Sequence, residues 1–284
     1  MTIALAINVV LLVGTVVGGI LTDSLALLAD AGHLLSDVGA IAIGLLAARL
    51  AARAPTPART YGLQRSEVLG ALANGVLLVV IAVLIVVEAL GRFGSPPDVA
   101  GGGMLAVGLA GLAGNLAATW VLASGDREDL NLEGVLRHSV ADALSSIGVV
   151  VAAVLILAAG WDAADPVASL VIAGLILLGS WRLLKEPIDV LLEAAPTGTN
   201  VSAIGEAMAA ERDVLEVHDL HVWTVTSGFP ALSAHVVVVE GCDRDRVLRQ
   251  VERLLHDRFG ITHTTLQMVE GTPGDGLIQV ERGS

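Results

Sequence analysis

Two copies of one short pattern, a histidine followed four residues later by an aspartate, stand inside apolar stretches of this sequence. The first copy pairs His33 with Asp37, and the second pairs His138 with Asp142. Residues four apart lie on one face of an α-helix, so each copy places an imidazole beside a carboxylate. If the two faces meet, they offer two nitrogens and two oxygens, which is a sufficient shell for a tetrahedral divalent metal.

The apolar surroundings of these four residues favour a function over a purely structural role. The first pair lies in an apolar run over 24–50, and the second opens another run that ends near Ala159. An ionisable group inside a bilayer costs about 3 kcal/mol or more, and such groups usually mark a pathway, a proton relay or a metal site. The other interpretation is a buried ion pair that only holds two helices together. The repetition of the same pair in two segments favours the metal site.

The chemistry of this donor set predicts a preference among metals and a link to protons. Two nitrogens and two oxygens suit zinc and can take cadmium or cobalt, whereas magnesium and calcium prefer shells made only of oxygen. Imidazole binds a metal only when it is neutral, so metal and proton compete for His33 and His138. Such competition can couple metal release to protonation if the site opens to each side of a membrane in turn.

Composition places the chain in the membrane class. Of the 284 residues, 54% are hydrophobic, and the mean hydropathy is +0.76. The net charge of −13 argues against nucleic-acid binding, and the single Cys242 excludes a disulfide framework within the chain. Six apolar segments have roughly the 20 residues that a membrane-spanning helix requires: 3–22, 24–50, 67–91, 99–123, 134–159 and 166–185.

Basic residues in the connections predict how the chain is oriented. Positively charged loops stay in the cytoplasm, so the loops after the second and sixth segments, and both termini, are expected there. The residues concerned are Arg49, Arg53, Arg59, Arg65, Arg182 and Lys185. Inside the apolar segments, Asn74 and Asn115 are interpreted as hydrogen-bonding groups between helices. Asp30 is interpreted as a helix cap or a loop contact, with a role at the entry of the metal site as the alternative. Arg65, Glu67 and Asp189 are candidates for interlocking charges at the cytoplasmic face.

The sequence after Lys185 is mixed and charged, and its periodicity predicts a small α/β domain. The predicted order is helix, strand, strand, helix, strand, over 197–271. The domain prediction is a six-helix transmembrane transport domain over 1–188, a cytoplasmic α/β domain over 189–271 and a disordered tail over 272–284.

Taken together, the motifs resemble the cation diffusion facilitator family of zinc-exporting proton antiporters. The resemblance rests on 24–37, on 59–69, on the second His-x-x-x-Asp pattern, and on 217–223 with 232–235. It implies a six-helix membrane bundle and a cytoplasmic domain of metallochaperone-like fold. It also implies a homodimer in the plasma membrane that carries zinc out of the cytoplasm in exchange for protons. His33, Asp37, His138 and Asp142 match the family's transport site; no enzymatic activity and no organic cofactor are implied.

The resemblance also points to a second metal site, in the cytoplasmic domain. Similar domains often bind zinc with residues that match His218, His235, His263 and Glu270. The other interpretation is that these are solvated surface histidines on strands. The chain lacks a His-rich cytoplasmic loop and a C-terminal cysteine pair, so metal properties that depend on those elements are not expected.

Two other functions stay open at this stage. An intramembrane metallohydrolase would need a general base beside a metal-bound water, commonly supplied by a His-Glu-x-x-His motif, which does not occur here. A membrane metal sensor that does not transport would use the same ligands. Metal flux into sealed vesicles separates a sensor from a transporter.

Overall fold

The computed structural model describes the backbone of residues 2–94, 97–123, 132–271 and 279–281. Side chains are described for 8–94, 97–117, 119–120 and 142–271. The chain divides into two units, the first made of Met1–Leu46 and Gly70–Leu184, the second of Ala47–Leu69 and Lys185–Ser284. The connection between the second and third helices is therefore grouped with the α/β domain.

Within the described backbone, six long helices form at the six apolar segments. They are α1 (Thr2–Thr22), α2 (Leu25–Ala51), α3 (Ser66–Arg92), α4 (Gly101–Ala123), α5 (Leu132–Ala159) and α6 (Ala164–Leu191). Four stretches of the described residues are long and apolar enough to cross a membrane, namely α2, α3, α6 and the part of α5 from Asp142 onward. Asn8–Thr22 and Gly101–Ala117 are shorter apolar stretches. Helix α6 ends at Leu191, six residues after the end of the predicted segment and beyond Pro187.

Small residues let the helices of the first unit approach closely. At Gly32, a Cβ would lie 2.7 Å from Cγ2 of Ile81 in α3, so only glycine fits this contact. Helix α4 packs against both α1 and α5. Large apolar side chains on the outside stay exposed, among them Leu84 at 63% and Leu178 at 76%. An exposed apolar belt of this kind suits lipid chains and would be a liability in water.

The α/β domain has the predicted order of elements with one addition. The elements are α7 (Val201–Ala209), β1 (Val214–Thr226), β2 (Phe229–Val238), α8 (Arg244–Phe259), β3 (His263–Glu270) and β4 (Gln279–Glu281). The sheet order is β3-β2-β1-β4, with β3 parallel to β2 and the other pairs antiparallel. The prediction of a disordered tail is wrong for 279–281, because this segment pairs with β1; residues 272–278 and 282–284 lie outside the described residues.

Local sequence explains where the two helices of this domain begin and end. The Asn200 side chain accepts a hydrogen bond from the amide of Ala203 and caps α7, and Asp243 caps α8 through the amide of Arg246. Gly260 ends α8 in the left-handed conformation. The carboxylate of Asp213 also hydrogen-bonds the Arg246 side chain and raises the pKa of its guanidinium. One apolar layer results, and it includes Ile204, Met208, Val217, Leu232, Val251 and Leu255.

Charges at the start of α3 pair differently from the sequence prediction. Nη2 of Arg65 lies 3.3 Å from Oε1 of Glu193, and Arg65 is not paired with Asp189. Asp189 pairs with Lys185 instead. Glu67 accepts a hydrogen bond of 2.9 Å from the hydroxyl of Thr226. Arg65 and Glu193 therefore form a single ion pair, and within the described residues the predicted set of interlocking charges among Arg65, Glu67 and Asp189 is not formed.

Candidate metal centres

The first candidate centre joins α2 to α5. Nε2 of His33 and Oδ1 of Asp142 form a hydrogen bond of 2.8 Å. Ligand atoms of His33, Asp37 and Asp142 all lie within 4.8 Å of one another, which is close enough for one metal ion to reach all three. His138 belongs to α5, four residues before Asp142, but its side chain lies outside the described residues. The structure thus brings together the three predicted ligands whose side chains it describes.

The first centre is enclosed but reachable. The side chain of His33 is 20% exposed and that of Asp142 is 14% exposed. When Asp142 is ionised it only accepts hydrogen bonds, and the proton of this contact is then on Nε2 of His33. The same nitrogen is a metal ligand only without that proton. Proton and metal therefore exclude each other at one atom of this site.

Polar contacts between helices surround the three ligands. The hydroxyl of Ser145 in α5 donates to Oδ1 of Asp30 at 2.5 Å, and Asp30 is 4% exposed. The prediction that Asp30 caps a helix or contacts a loop is wrong, because its partner is on another helix, one turn beyond Asp142. The amide of Asn74 donates to Ser36 at 3.1 Å, as predicted for a group between helices.

Asn115 in α4 makes a contact of the same kind with α5, the helix that carries Asp142. Its amide donates to the hydroxyl of Ser146 in α5 at 3.1 Å, which also confirms the sequence interpretation. Contacts of this type fix the rotation of a helix about its own axis. Both ligand helices are therefore held by neighbours within one or two turns of the ligands.

The second candidate centre lies on neighbouring strands of the α/β domain. His218 and His235 are paired across β1 and β2, and their rings are in edge-to-face contact with centroids 5.1 Å apart. Nε2 of His218 and Nδ1 of His235 lie 3.3 Å apart. Oδ2 of Asp219 lies 3.5 Å from Nδ1 of His235, and ligand atoms of the three residues lie within 4.8 Å of one another.

A bulge in β1 brings Asp219 to this face of the sheet. Neighbouring residues of a regular strand point to opposite faces, so Asp219 would face away from His218. The register of β1 with β2 shifts between His218 and His221, and Asp219 has a φ of 50°. A residue in a bulge can redirect its side chain in this way.

A buried carboxylate lies beside the second ring nitrogen of His218. Oε1 of Glu216 lies 3.2 Å from Nδ1 of His218, and Glu216 is only 2% exposed. A carboxylate that accepts a hydrogen bond from the second ring nitrogen of a metal-binding histidine fixes the ring and raises the basicity of the ligand nitrogen. Glu216 is close enough for this role, although the two groups do not have hydrogen-bond geometry in this structure. This arrangement fits a metal ion at Nε2 of His218.

The other two predicted ligands of this centre lie elsewhere on the sheet. Nε2 of His263 is 3.4 Å from the hydroxyl of Tyr61, and its ring also contacts Phe229. Oε1 of Glu270 lies 3.5 Å from Nε of Arg244. Within the described residues, His263 and Glu270 do not join His218 and His235.

Sequence reasoning missed two residues of the second centre for different reasons. Glu216 is two positions before His218, and strand alternation alone would have placed it on the same face. Asp219 carried no such signal, because only the bulge turns it toward His235. The candidate ligand set His218, His235 and Asp219 follows from the backbone geometry of β1.

Comparisons with known proteins cover both units. A family model described as the cation efflux transmembrane domain matches residues 1–192, and one described as the cation efflux protein cytoplasmic domain matches 196–270. The cadmium, cobalt and zinc/H(+)-K(+) antiporter of Bacillus velezensis is 41% identical over 257 residues, which are 89% of this chain and 82% of the relative. The zinc transporter ZitB of Shigella flexneri is 42% identical over 255 residues, which are 89% and 81% of the two chains. A solved structure, the metal-bound C-terminal domain of the CzcD transporter from Cupriavidus metallidurans, covers 25% of this chain and 97% of that chain, with 34% identity and a TM-score of 0.24.

Proposed function

This chain belongs to the cation efflux family of membrane transporters, and we propose that it carries zinc out of the cytoplasm in exchange for protons. The observation that carries the proposal is the contact of 2.8 Å between His33 and Asp142, which joins two apolar helices through one imidazole and one carboxylate. Asp37 completes a group of three ligand atoms within 4.8 Å. His138, one helical turn from Asp142, is the fourth ligand of the proposal.

Zinc is the proposed cargo because of the donor set and the similar proteins. Imidazole and carboxylate together make a borderline shell that suits zinc and accepts cadmium or cobalt. Relatives that are about 40% identical are named for zinc, cadmium and cobalt transport. The family consists of transporters, so an intramembrane hydrolase is no longer an alternative.

Exchange with protons follows from the competition at His33. On the cytoplasmic side, neutral imidazoles and ionised carboxylates bind the metal. After the site opens to the other side, protonation of His33 restores its hydrogen bond to Asp142 and displaces the metal. The protonated site then returns. One ligand atom thus alternates between a proton and a metal, so the site does not carry both in the same crossing.

The proposal includes the arrangement of the chain in the membrane. All six long helices span the bilayer, both termini lie in the cytoplasm, and the protein is a homodimer in the plasma membrane. The transport domain comprises 1–188 and the cytoplasmic domain 189–271. Support comes from the basic loops and from the match to the cytoplasmic domain of cation efflux proteins.

The cytoplasmic domain is proposed to bind a regulatory zinc ion. His218, His235 and Asp219 would hold it, and Glu216 would fix the ring of His218. A zinc ion there would link β1 to β2 and would tie the state of the domain to the zinc concentration of the cytoplasm. His263 and Glu270 stay candidates for ligands of a rearranged or dimeric site.

Purified protein in sealed liposomes tests the transport function. A zinc gradient is imposed, while one dye reports zinc in the lumen and a second reports its pH. The expected result is zinc uptake with proton movement in the opposite direction, and none of either with Asp142→Asn. Asp98→Asn is the control, since Asp98 is exposed between α3 and α4. Zinc binding without flux in the wild-type protein would show that the protein is a sensor and would contradict the proposal.

A further inference from the structure

The first turn of α2, the helix that carries His33 and Asp37, is held by a carboxylate from α6. Oδ1 of Asp165 accepts hydrogen bonds from the hydroxyl of Ser24 at 2.6 Å and from the amide of Ala26 at 3.1 Å. Oδ2 accepts from the amide of Leu25 at 2.9 Å. The first amides of a helix have no partner within the helix, and their dipoles favour a negative charge. Asp165 therefore acts as a capping residue supplied by a different helix.

This carboxylate is placed where charge is costly without a partner. Asp165 is 0% exposed. Helix α2 already has a cap of its own, because the hydroxyl of Ser24 accepts from the amide of Leu27 at 3.2 Å. A second cap that buries a full charge is not needed merely to start the helix. Its effect is to tie α2 to α6.

Arg92, at the end of α3, completes the arrangement. It donates to the backbone oxygen of Asp23 at 2.7 Å and to Oδ1 of Asp23 at 3.1 Å. Its guanidinium also lies 3.9 Å from Oδ2 of Asp165. Asp23 has a φ of 51°, so the turn before α2 is tight and is held by this arginine. Asp165 and Arg92 together are called the α2 anchor below.

We propose that Asp165 is a positioning residue for metal binding. The α2 anchor sets the position of His33 and Asp37 along the axis of α2, and so their distance from Asp142. This inference rests on the proposed transport function. Ser24 and His33 are nine residues apart, or about 13 Å along a helix. A helix is stiff over that length, so a shift of its first turn moves the ligands. Metal sites tolerate changes in ligand distance of only about 0.2 Å.

The contacts of the anchor are stronger than the neutral contact of α2 with α3. Hydrogen bonds to an ionised group are roughly twice as strong as those between neutral groups. By contrast, α2 contacts α3 near the ligands through the neutral pair Ser36 and Asn74. Asp165 thus holds the first turn of α2 through three hydrogen bonds to one carboxylate, which can fix the position of α2 along the helix axis.

The test compares full-length variants in detergent and in liposomes. All of them carry His218→Ala and His235→Ala, so that zinc binding reports the membrane centre. Asp165→Asn keeps the size of the side chain but removes its charge and part of its capacity to accept hydrogen bonds. Replacement of a residue that hydrogen-bonds a metal ligand directly typically weakens metal binding about 10-fold to 100-fold. Asp165 acts on the ligands through α2, so we expect a zinc Kd up to about tenfold higher, a similar rise in KM and a smaller change in maximal rate.

Three further variants make the result specific. Asp165→Glu keeps the charge and should recover part of the affinity. Ser24→Ala removes one bond of the anchor, should raise the Kd by a smaller factor, and is the fallback if Asp165→Asn does not insert. Asp162→Asn is the matched control, because Asp162 lies three residues earlier in the connection to α6 and should leave the Kd unchanged.

The outcomes separate this inference from the proposed function. If Asp165→Asn and Ser24→Ala lower the melting temperature but leave the zinc Kd as it was, the anchor has a structural role only and the inference is wrong. If the parent protein neither binds nor transports zinc, the proposed function fails first. A higher Kd in Asp165→Asn at a temperature well below its melting point supports the inference.

Discussion

Nε2 of His33 and Oδ1 of Asp142 meet at 2.8 Å, although the two residues are 109 positions apart in the chain. The contact joins an imidazole of α2 and a carboxylate of α5 into one hydrogen-bonded unit. Because these atoms are also the proposed metal ligands, the unit is expected to hold either a proton or a zinc ion. Each of its residues should therefore be required for exchange.

The first prediction concerns removal of a ligand. Asp142→Ala should abolish zinc flux, since it removes one oxygen of the shell and the acceptor for His33. Asp37→Ala, His33→Ala and His138→Ala should have the same effect. Flux into liposomes is the measurement, and size-exclusion chromatography checks that each variant still folds. Normal transport by Asp142→Ala would refute the assignment.

A second prediction concerns selectivity. His33→Asp replaces a nitrogen with an oxygen, so the shell becomes harder and should discriminate less against manganese and iron. Competition of these ions against zinc in the flux assay measures the change. The expected result is clear inhibition of zinc uptake by manganese in His33→Asp and little in the wild type. An unaltered preference would mean that geometry, and not ligand type, selects the metal.

A third prediction separates the two ligand sets of the cytoplasmic domain. Zinc at 100 times its Kd should stabilise the fragment 190–284 by about 2.7 kcal/mol, and the gain should shrink as pH falls through the histidine range. Asp219→Ala and His235→Ala should remove most of the gain in melting temperature. His263→Ala should keep it, because His263 pairs with Ala231 of β2, four residues before His235.

The control for this third prediction is His221→Ala, since His221 is an exposed residue of the same strand. Loss of the zinc effect in His263→Ala would favour the ligand set inferred from the family resemblance. A fragment whose melting temperature ignores zinc at neutral pH would show that the domain binds no regulatory metal.

A fourth prediction concerns the packing of α2 against α3. Gly32→Ala would place a methyl group 2.7 Å from Cγ2 of Ile81. This carbon is attached to the branched Cβ of isoleucine, so it cannot rotate away freely in a helix. Overpacking of this kind costs about 1–3 kcal/mol, and thermal unfolding in detergent should show a lower midpoint.

The matched control for Gly32→Ala lies on the same helix. Gly44 has open space around it, so Gly44→Ala should gain the higher helix propensity of alanine without a clash. Its midpoint should equal or exceed that of the wild type. Equal midpoints for the two variants would show that the contact with Ile81 relaxes without cost.

Features that depend on neighbours in the chain could be predicted from the sequence. The His-x-x-x-Asp spacing places both side chains on one helix face, because the helical period is fixed. The same reasoning located the long helices and the strands of the α/β domain. The start of α7 is set by a hydrogen bond to Asn200, and the start of α8 by a hydrogen bond to Asp243. The left-handed conformation of Gly260 ends α8.

Features that depend on packing were decided only by the tertiary structure. Asp219 reaches His235 because β1 has a bulge, and strand alternation predicts the opposite face. Asp165 caps a helix that begins about 140 residues earlier, and the sequence around either residue does not indicate the other. Local sequence fixes backbone periodicity through sterics and hydrogen bonds of short range. Which faces meet is decided by the burial of whole helices and strands, so the partner of each polar group emerges only when these elements pack.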